Sequence, residues 1–218
     1  TTSAVFRDPS AWYHVIAVVD TTSAVSSDRM IIYVNGVRQD AGTYTAPTQN
    51  ADLYLNQALE HRIARFGYSG YNNYFYGYLA DVHFIDGQAL APTNFGKFDD
   101  NNVWQPKAFT GTYGTNGFQL DFSDNSSNAA LGYDAAGSND WTVNNLSVAS
   151  GTGNDSLVDS PTNGDQTDTG AGGEVVGNYA TWNPLTTPSG LSNGNLDLVN
   201  ATSFSSIGVS SGKWYCEY

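Results

Sequence analysis

The sequence predicts an all-β chain with long loops. Three observations carry that prediction. From Tyr78 to Ile85 the residues sort by parity, with Tyr78, Ala80, Val82 and Phe84 on one face and Leu79, Asp81, His83 and Ile85 on the other, which is the period of a strand. The apolar run Met30-Ile31-Ile32-Tyr33-Val34 ends in Asn35-Gly36, the strongest short hairpin turn, because a type I′ turn needs positive φ at both central residues. Finally, no helical period is sustained anywhere, and charged residues make up only 13% of the chain against a usual value of about 25%. Gly, Asn, Ser, Thr and Tyr take their place.

In chain order, Trp12 to Asp20 reads as a first strand and Met30 to Val34 as a second, which runs into the Asn35-Gly36 turn. The aromatics Tyr68, Tyr71, Tyr74, Phe75 and Tyr76 sit in an Asn- and Gly-rich stretch before Gly77, without strong strand periodicity, and are expected to project as a loop. The Tyr78 to Ile85 strand follows. Trp12, Ile16, Ile32, Val34, Ala80, Val82 and Phe84 are the expected core. Asp86 to Pro92 closes a first unit over residues 1–95. Residues 96–110 read as a linker, because Asn101-Asn102 and Pro106 discourage regular structure. A second, loop-rich β segment spans 111–200. In it Phe118, Leu120 and Phe122 alternate with Gln119 and Asp121, as in a half-buried strand. From Ser123 to Gly173 the chain is mostly Ser, Asn, Asp, Gly and Thr. Its anchors are Leu131, Trp141, Leu146, Val148 and Leu157. These are too few to order the stretch against its backbone entropy, so a neighbouring subunit or domain is expected to hold it. Residues 194–199 read as a strand, and 201–218 as the opening strands of a further β module.

The chain has 218 residues and a formal charge of -13. That is long enough for a sizeable core in one large or two small domains. Thirteen of the 21 acids lie beyond Phe98, where the only bases are Lys107 and Lys213. Such a surface argues against nucleic acid and anionic membranes, which need Lys and Arg, and it permits cation binding. A single cysteine, Cys216, excludes an intrachain disulfide framework. No apolar run is long enough for a transmembrane helix, and no signal peptide opens the chain. The sequence is expected to be an internal segment of a longer polypeptide.

Enzyme chemistry finds little support. A glycosidase on a β-sandwich needs paired carboxylates about 5–5.5 Å apart if retaining. Glu60, Glu174 and Glu217 have no carboxylate at a suitable spacing. His14, His61 and His83 are far apart in sequence and lack metal-ligand spacing. The G-x-S-x-G patterns at Ser192 and Ser210 have no histidine after them, as a hydrolase elbow requires. Two binding sites remain open. Asp134, Asn139 and Asp140 surround Gly137 and offer oxygens to Ca2+; an Asx-rich turn satisfying its own backbone is the competing account. Tyr71, Tyr74 and Tyr76, with Asn72 and Asn73, offer stacking faces and hydrogen bonds to a sugar. Packing at a subunit interface is the alternative there.

The order W-x-H-x-x-x-x-x-D, Y-V-N-G, G-Y-x-A-D-V over about residues 5–95 resembles the C-terminal half of a laminin-G-like, concanavalin A-like jelly-roll sandwich. L-D-F-S-D with D-A-A-G-S-N-D-W resembles the start of another such unit. The ending G-K-W-Y-C-E-Y resembles the opening strand of a SPRY-like sandwich, with Cys216 where that pattern has tryptophan. More broadly, F-I-D-G-Q-A-L, W-x-P-K, G-T-Y-G-T-N-G-F, L-D-F-S-D-N-S and N-D-W-T-V-N-N-L-S-V resemble tail-fibre and appendage proteins of marine tailed phages. That resemblance implies a non-catalytic virion-surface protein repeated in symmetric copies, a trimer by analogy with tail fibres, alongside other virion proteins. It implies host adhesion, with a surface glycan as ligand. A structural virion subunit without ligand and a secreted bacterial adhesin are the rival readings.

Overall fold

The computed structural model describes residues 2–7, 11–40, 44–68, 71–149, 155–156, 182–183, 191–192, 197–205 and 208. Among them every regular element is a short β-strand or a 3-10 turn, so the described part of the chain is β-structured without α-helix, in line with the predicted all-β class. The strands are β1 (Val15–Val19), β2 (Met30–Val34), β3 (Val37–Arg38), β4 (Arg65–Tyr68), β5 (Tyr71–Tyr74), β6 (Val82–Phe84), β7 (Gly96–Phe98), β8 (Trp104–Pro106), β9 (Phe118–Leu120), β10 (Leu191–Ser192) and β11 (Asp197–Leu198). They form one three-stranded sheet, β1-β2-β3, and the antiparallel pairs β4-β5, β6-β9, β7-β8 and β10-β11.

β1 and β2 are built almost wholly from β-branched and aromatic residues, which suit a pleated surface. The Asn35-Gly36 turn forms as expected, with φ of 48° and 75°, and sets Val34 opposite Val37. Asn35 also closes the sheet's end. Its N–H donates to His14 O at 2.8 Å, and its Oδ1 accepts from His14 N–H at 2.9 Å.

The best-buried apolar residues lie further along the chain. In β6-β9, Val82 faces Leu120 and Phe84 faces Phe118. The Phe84 and Phe118 rings stack at 5.6 Å, and Trp141 packs on Phe118 at 5.0 Å. Leu120 is 3% exposed, and Phe118, Ala130 and Leu131 are also buried. The alternation of Phe118, Gln119 and Leu120 is thus realised as predicted. Of the seven expected core residues, Val34 is buried, while Ile16, Ala80, Val82 and Phe84 are half-buried. Trp12 and Ile32 are each 41% exposed. Trp12 precedes β1, and its one ring contact among the described residues is the tilted Tyr78 ring at 6.2 Å. Ile32 shares an outward face of β1-β2 with Val15, Ala17 and Met30, all exposed.

Several expected boundaries shift. The strand at Tyr78 to Ile85 shortens to Val82–Phe84, because Asp81 takes a left-handed φ of 51°. Phe122, with φ of 56°, lies past the end of β9. Within the expected linker 96–110, residues 96–106 form the β7-β8 hairpin. Its reading failed because the Asn101-Asn102 pair makes the turn rather than breaking the structure. Asp99 Oδ1 accepts the N–H groups of Asn101 and Val103 at 2.9 and 2.8 Å, and Asn102 carries φ of 61°. Pro106 ends β8, where a strand tolerates a missing donor. β6 and β9 pair across this hairpin, joining the segments 1–95 and 111–200 in one sheet. The start of the Ser-Asn-Gly stretch is also held from within the chain. Leu131 is buried, Trp141 sits on Phe118, and Trp141 N–H donates to Gly132 O at 2.8 Å. Leu157, Glu174, Ser210, Cys216 and nearly all of 206–218 lie outside the described residues.

Candidate functional site

The aromatic stretch expected to be a loop is a hairpin. Arg65 faces Tyr74, Phe66 faces Asn73, Gly67 faces Asn72 and Tyr68 faces Tyr71. Phe75 N–H donates to Ala64 O at 2.9 Å, which extends the pairing by one residue. Loop composition hid the strand because Asn and Gly are poor strand formers taken singly, whereas the cross-strand partners on β4 are what hold them. Tyr71 and Asn72 lie in β5, and their side chains lie outside the described residues. Asn73 is exposed. Tyr76 is 87% exposed and Phe66 64%, with Tyr74 and Phe75 each more than half in solvent. The Arg65 guanidinium lies over the Tyr74 ring, 5.6 Å from its centre, a cation–π contact. The Phe75 ring lies over Gly77, where an added Cβ would come within 2.8 Å of Phe75 Cζ. Cross-strand partners share a face and neighbours along a strand alternate, so Arg65 and Tyr74 lie on one face of the hairpin and Phe66 and Asn73 on the other, while Phe75 and Tyr76 follow the end of β5, both exposed. Phe66 was missed because its pattern R-F-G-Y is short and unremarkable without the partner strand.

A second cluster lies between β6, β9 and the neighbouring loop. His83 Nε2 is 3.1 Å from Asp81 Oδ1, and Gln119 donates to the same oxygen at 2.8 Å. Tyr113 Oη lies 2.8 Å from His83 Nδ1 and donates to Gln119 Oε1 at 3.1 Å. Burial above all, then the negative charges of Asp81 and Asp134, push the Tyr113 phenol up to about 12, so it remains a hydrogen-bond donor across the physiological range. Phe95 and Phe109 flank His83. His14 belongs to the same neighbourhood although it lies far away in sequence. Burial, then the proximity of His83, push its pKa below the ordinary 6.5 against a smaller opposing pull from Asp81. Its Nδ1 accepts the Trp104 indole N–H at 2.8 Å. Each group in this cluster is aimed at another protein group, which is the pattern of a satisfied, partly buried network.

The Asp134 loop shows where its oxygens point. Asp134 Oδ1 accepts from Gln119 N–H and Ala136 N–H, both at 2.9 Å, and Oδ2 accepts from Asn139 N–H at 3.0 Å. Asp140 Oδ1 accepts from Asp134 N–H at 2.9 Å. Asn139 donates its amide to the carbonyls of Gly117 and Thr115 at 2.8 and 3.1 Å. The structure thus brings Asp134, Asn139 and Asp140 together, as an Asx-turn lattice that ties the loop to β9. Among the described residues, no group of three or more His, Cys, Asp or Glu residues is placed to hold a metal ion. An open cleft of about 310 Å³ lies by Asn94, Lys107, Phe109 and Thr110; no residue of the aromatic hairpin lines it. No helix of the described residues is long and apolar enough to cross a membrane.

No family model, curated protein or solved structure matches this chain.

Proposed function

We propose that this chain is a non-catalytic adhesion module of a virion appendage of the tail-fibre type, which holds a host-surface glycan on the β4-β5 hairpin. The observation that carries this reading is the run Tyr74, Phe75 and Tyr76 at the end of β5, three consecutive rings each more than half in solvent, with Asn73 exposed next to them in the chain. Exposed rings present flat apolar faces to the C–H faces of sugars, and Asn both donates and accepts at hydroxyls. The proposal keeps the jelly-roll sandwich as the parent fold. What supports it is the set of small antiparallel sheets. The proposal also places the chain at the virion surface, in repeated copies and beside other virion proteins.

A glycan array with the intact chain tests the reading, run beside a Tyr74→Ala/Tyr76→Ala variant of equal thermal stability. Binding by the wild type that the variant loses supports it. No binding to any glycan leaves the structural-subunit alternative in its place.

A further inference from the structure

β1 is an edge strand, and the hydrogen-bond pattern shows which of its groups face outward. Asn35 N–H bonds His14 O, and Asp20 N–H bonds Arg29 O. With the register Ile16 to Tyr33 and Val18 to Ile31, the even residues of β1 therefore spend their N–H and C=O groups on β2. Val15, Ala17 and Val19 point theirs away. Among the described residues no other strand pairs with them.

Unpaired edges are ordinarily guarded by charge, proline or a bulge. The opposite edge of the same sheet has such a guard, since Arg38 on β3 pairs with Asp28 at 2.7 Å. β7 carries Lys97 and β8 ends in Pro106. β1, Val-Ile-Ala-Val-Val, has none of these. Its Val15 side chain is 61% exposed and Ala17 is exposed beside it.

The run is also self-complementary. Laid antiparallel against itself about Ala17, Val15 meets Val19, Ile16 meets Val18, and Ala17 meets its own copy. The outward-facing residues 15, 17 and 19 then oppose 19, 17 and 15, so each pair exchanges both N–H···O=C bonds. β-branched side chains face one another beside a small residue on the axis, a favourable cross-strand arrangement. Continuing the register sets Asp20 opposite His14 of the other copy, not opposite a second carboxylate. In a chain of net charge -13, that matters. We infer that the free edge of β1 pairs with β1 of a second copy about a two-fold axis through Ala17, joining two three-stranded sheets into one. An isologous contact of this kind closes at two copies, unlike the trimer that the tail-fibre resemblance implies. It does not depend on glycan binding.

The test uses disulfide trapping. In a two-fold pair the Ala17 Cα atoms lie about 5.5 Å apart, within the range a disulfide bridges. Ala17→Cys, in a Cys216→Ser background, is expected to give a covalent dimer under mild oxidation. Ile32→Cys, exposed on the same face but one strand further in, is expected to stay single. In parallel, the mass of the wild type in solution should double with concentration, and Ala17→Lys should hold it at one chain. Equal trapping at both positions overturns the inference. So does a wild type that stays single at its highest soluble concentration. A single chain whose Ala17 amide is already protected from exchange also overturns it, because that edge would then be covered from within the polypeptide.

Discussion

Trp104 donates its indole N–H to Nδ1 of His14 at 2.8 Å, across ninety residues of sequence. The two rings lie within 19° of parallel. The bond requires Nδ1 to be unprotonated, so it selects neutral His14 with its proton on Nε2. Burial and the neighbouring His83 act in the same direction. The β7-β8 hairpin is thereby fastened to the start of β1 by a bond that acid removes.

The sign of the resulting pH dependence follows. A histidine whose folded pKa lies below its unfolded value stabilises the fold fully above about pH 6.5. That stability is lost as the pH falls through the folded pKa. Thermal melts of the wild type should therefore drop more steeply below pH 6.5 than those of His14→Gln. Parallel slopes for the two proteins would place the pH dependence elsewhere.

Gly36 supports the same contact. It holds φ of 75°, and a Cβ there would collide with the Trp104 ring, as would one on Gly96. Gly36→Ala combines left-handed strain, on the order of 1 kcal/mol or more, with displacement of the indole. It should cost more than the strain alone. Pairing it with Trp104→Ala isolates the steric part: in that background the cost of Gly36→Ala should shrink toward strain only. An unchanged cost would mean that the indole yields freely.

The core prediction contrasts two apolar residues. Phe118 is buried between Phe84 and Trp141, so Phe118→Ala should cost about 3–5 kcal/mol. Ile32, much of it in solvent, should cost well under that on truncation. Denaturant unfolding of both variants measures the difference. Similar losses would mean that the outer face of β1-β2 is covered in solution.

Legibility in the sequence followed the range of the interactions. The Asn35-Gly36 turn and the Phe118-Leu120 alternation were readable, because a turn type and a half-buried strand are specified by adjacent residues. The β7-β8 hairpin was not. Its turn depends on one carboxylate, Asp99, collecting two N–H groups, and its stability on Trp104 reaching His14. The shortening of the strand at Val82 was likewise hidden, since Asp81 leaves the β region to reach Gln119 and His83. The candidate residues were partly legible: Tyr74 and Tyr76 were singled out by composition, but Arg65 meets Tyr74 only through strand pairing. Asp134, Asn139 and Asp140 were found as a cluster, while the N–H groups that occupy Asp134 come from β9 and the loop backbone.

Those N–H groups fix the behaviour of the Asp134 loop. Burial alone would raise the Asp134 pKa. The backbone N–H groups of Gln119, Asn139, Ala136 and Gly137 together outweigh it and hold the carboxyl below its ordinary 3.8. The stabilisation is therefore present above about pH 4 and lost as the pH falls through the depressed folded value. Asp134→Asn removes the charge and an acceptor, and should cost about 1–3 kcal/mol at pH 7. A chelator should leave the wild-type melting temperature unchanged. A fall on chelation would restore Ca2+ to this loop, since a ligand bound only by the folded state stabilises it.

The last prediction concerns the hairpin. Tyr74 and Tyr76 are mostly in solvent, so truncating them removes little buried surface and should leave the fold's stability within about 0.5 kcal/mol. A stacked ring contributes about 0.5–1.5 kcal/mol beyond area burial, so losing two should weaken glycan binding about tenfold or more. Tyr74→Phe/Tyr76→Phe keeps the faces and removes only the hydroxyls, and should retain most of the affinity if stacking dominates. Arg65→Gln removes the cation over Tyr74, and should weaken binding without touching a second ring. Binding indifferent to all three variants, at unchanged stability, would move the ligand off this hairpin.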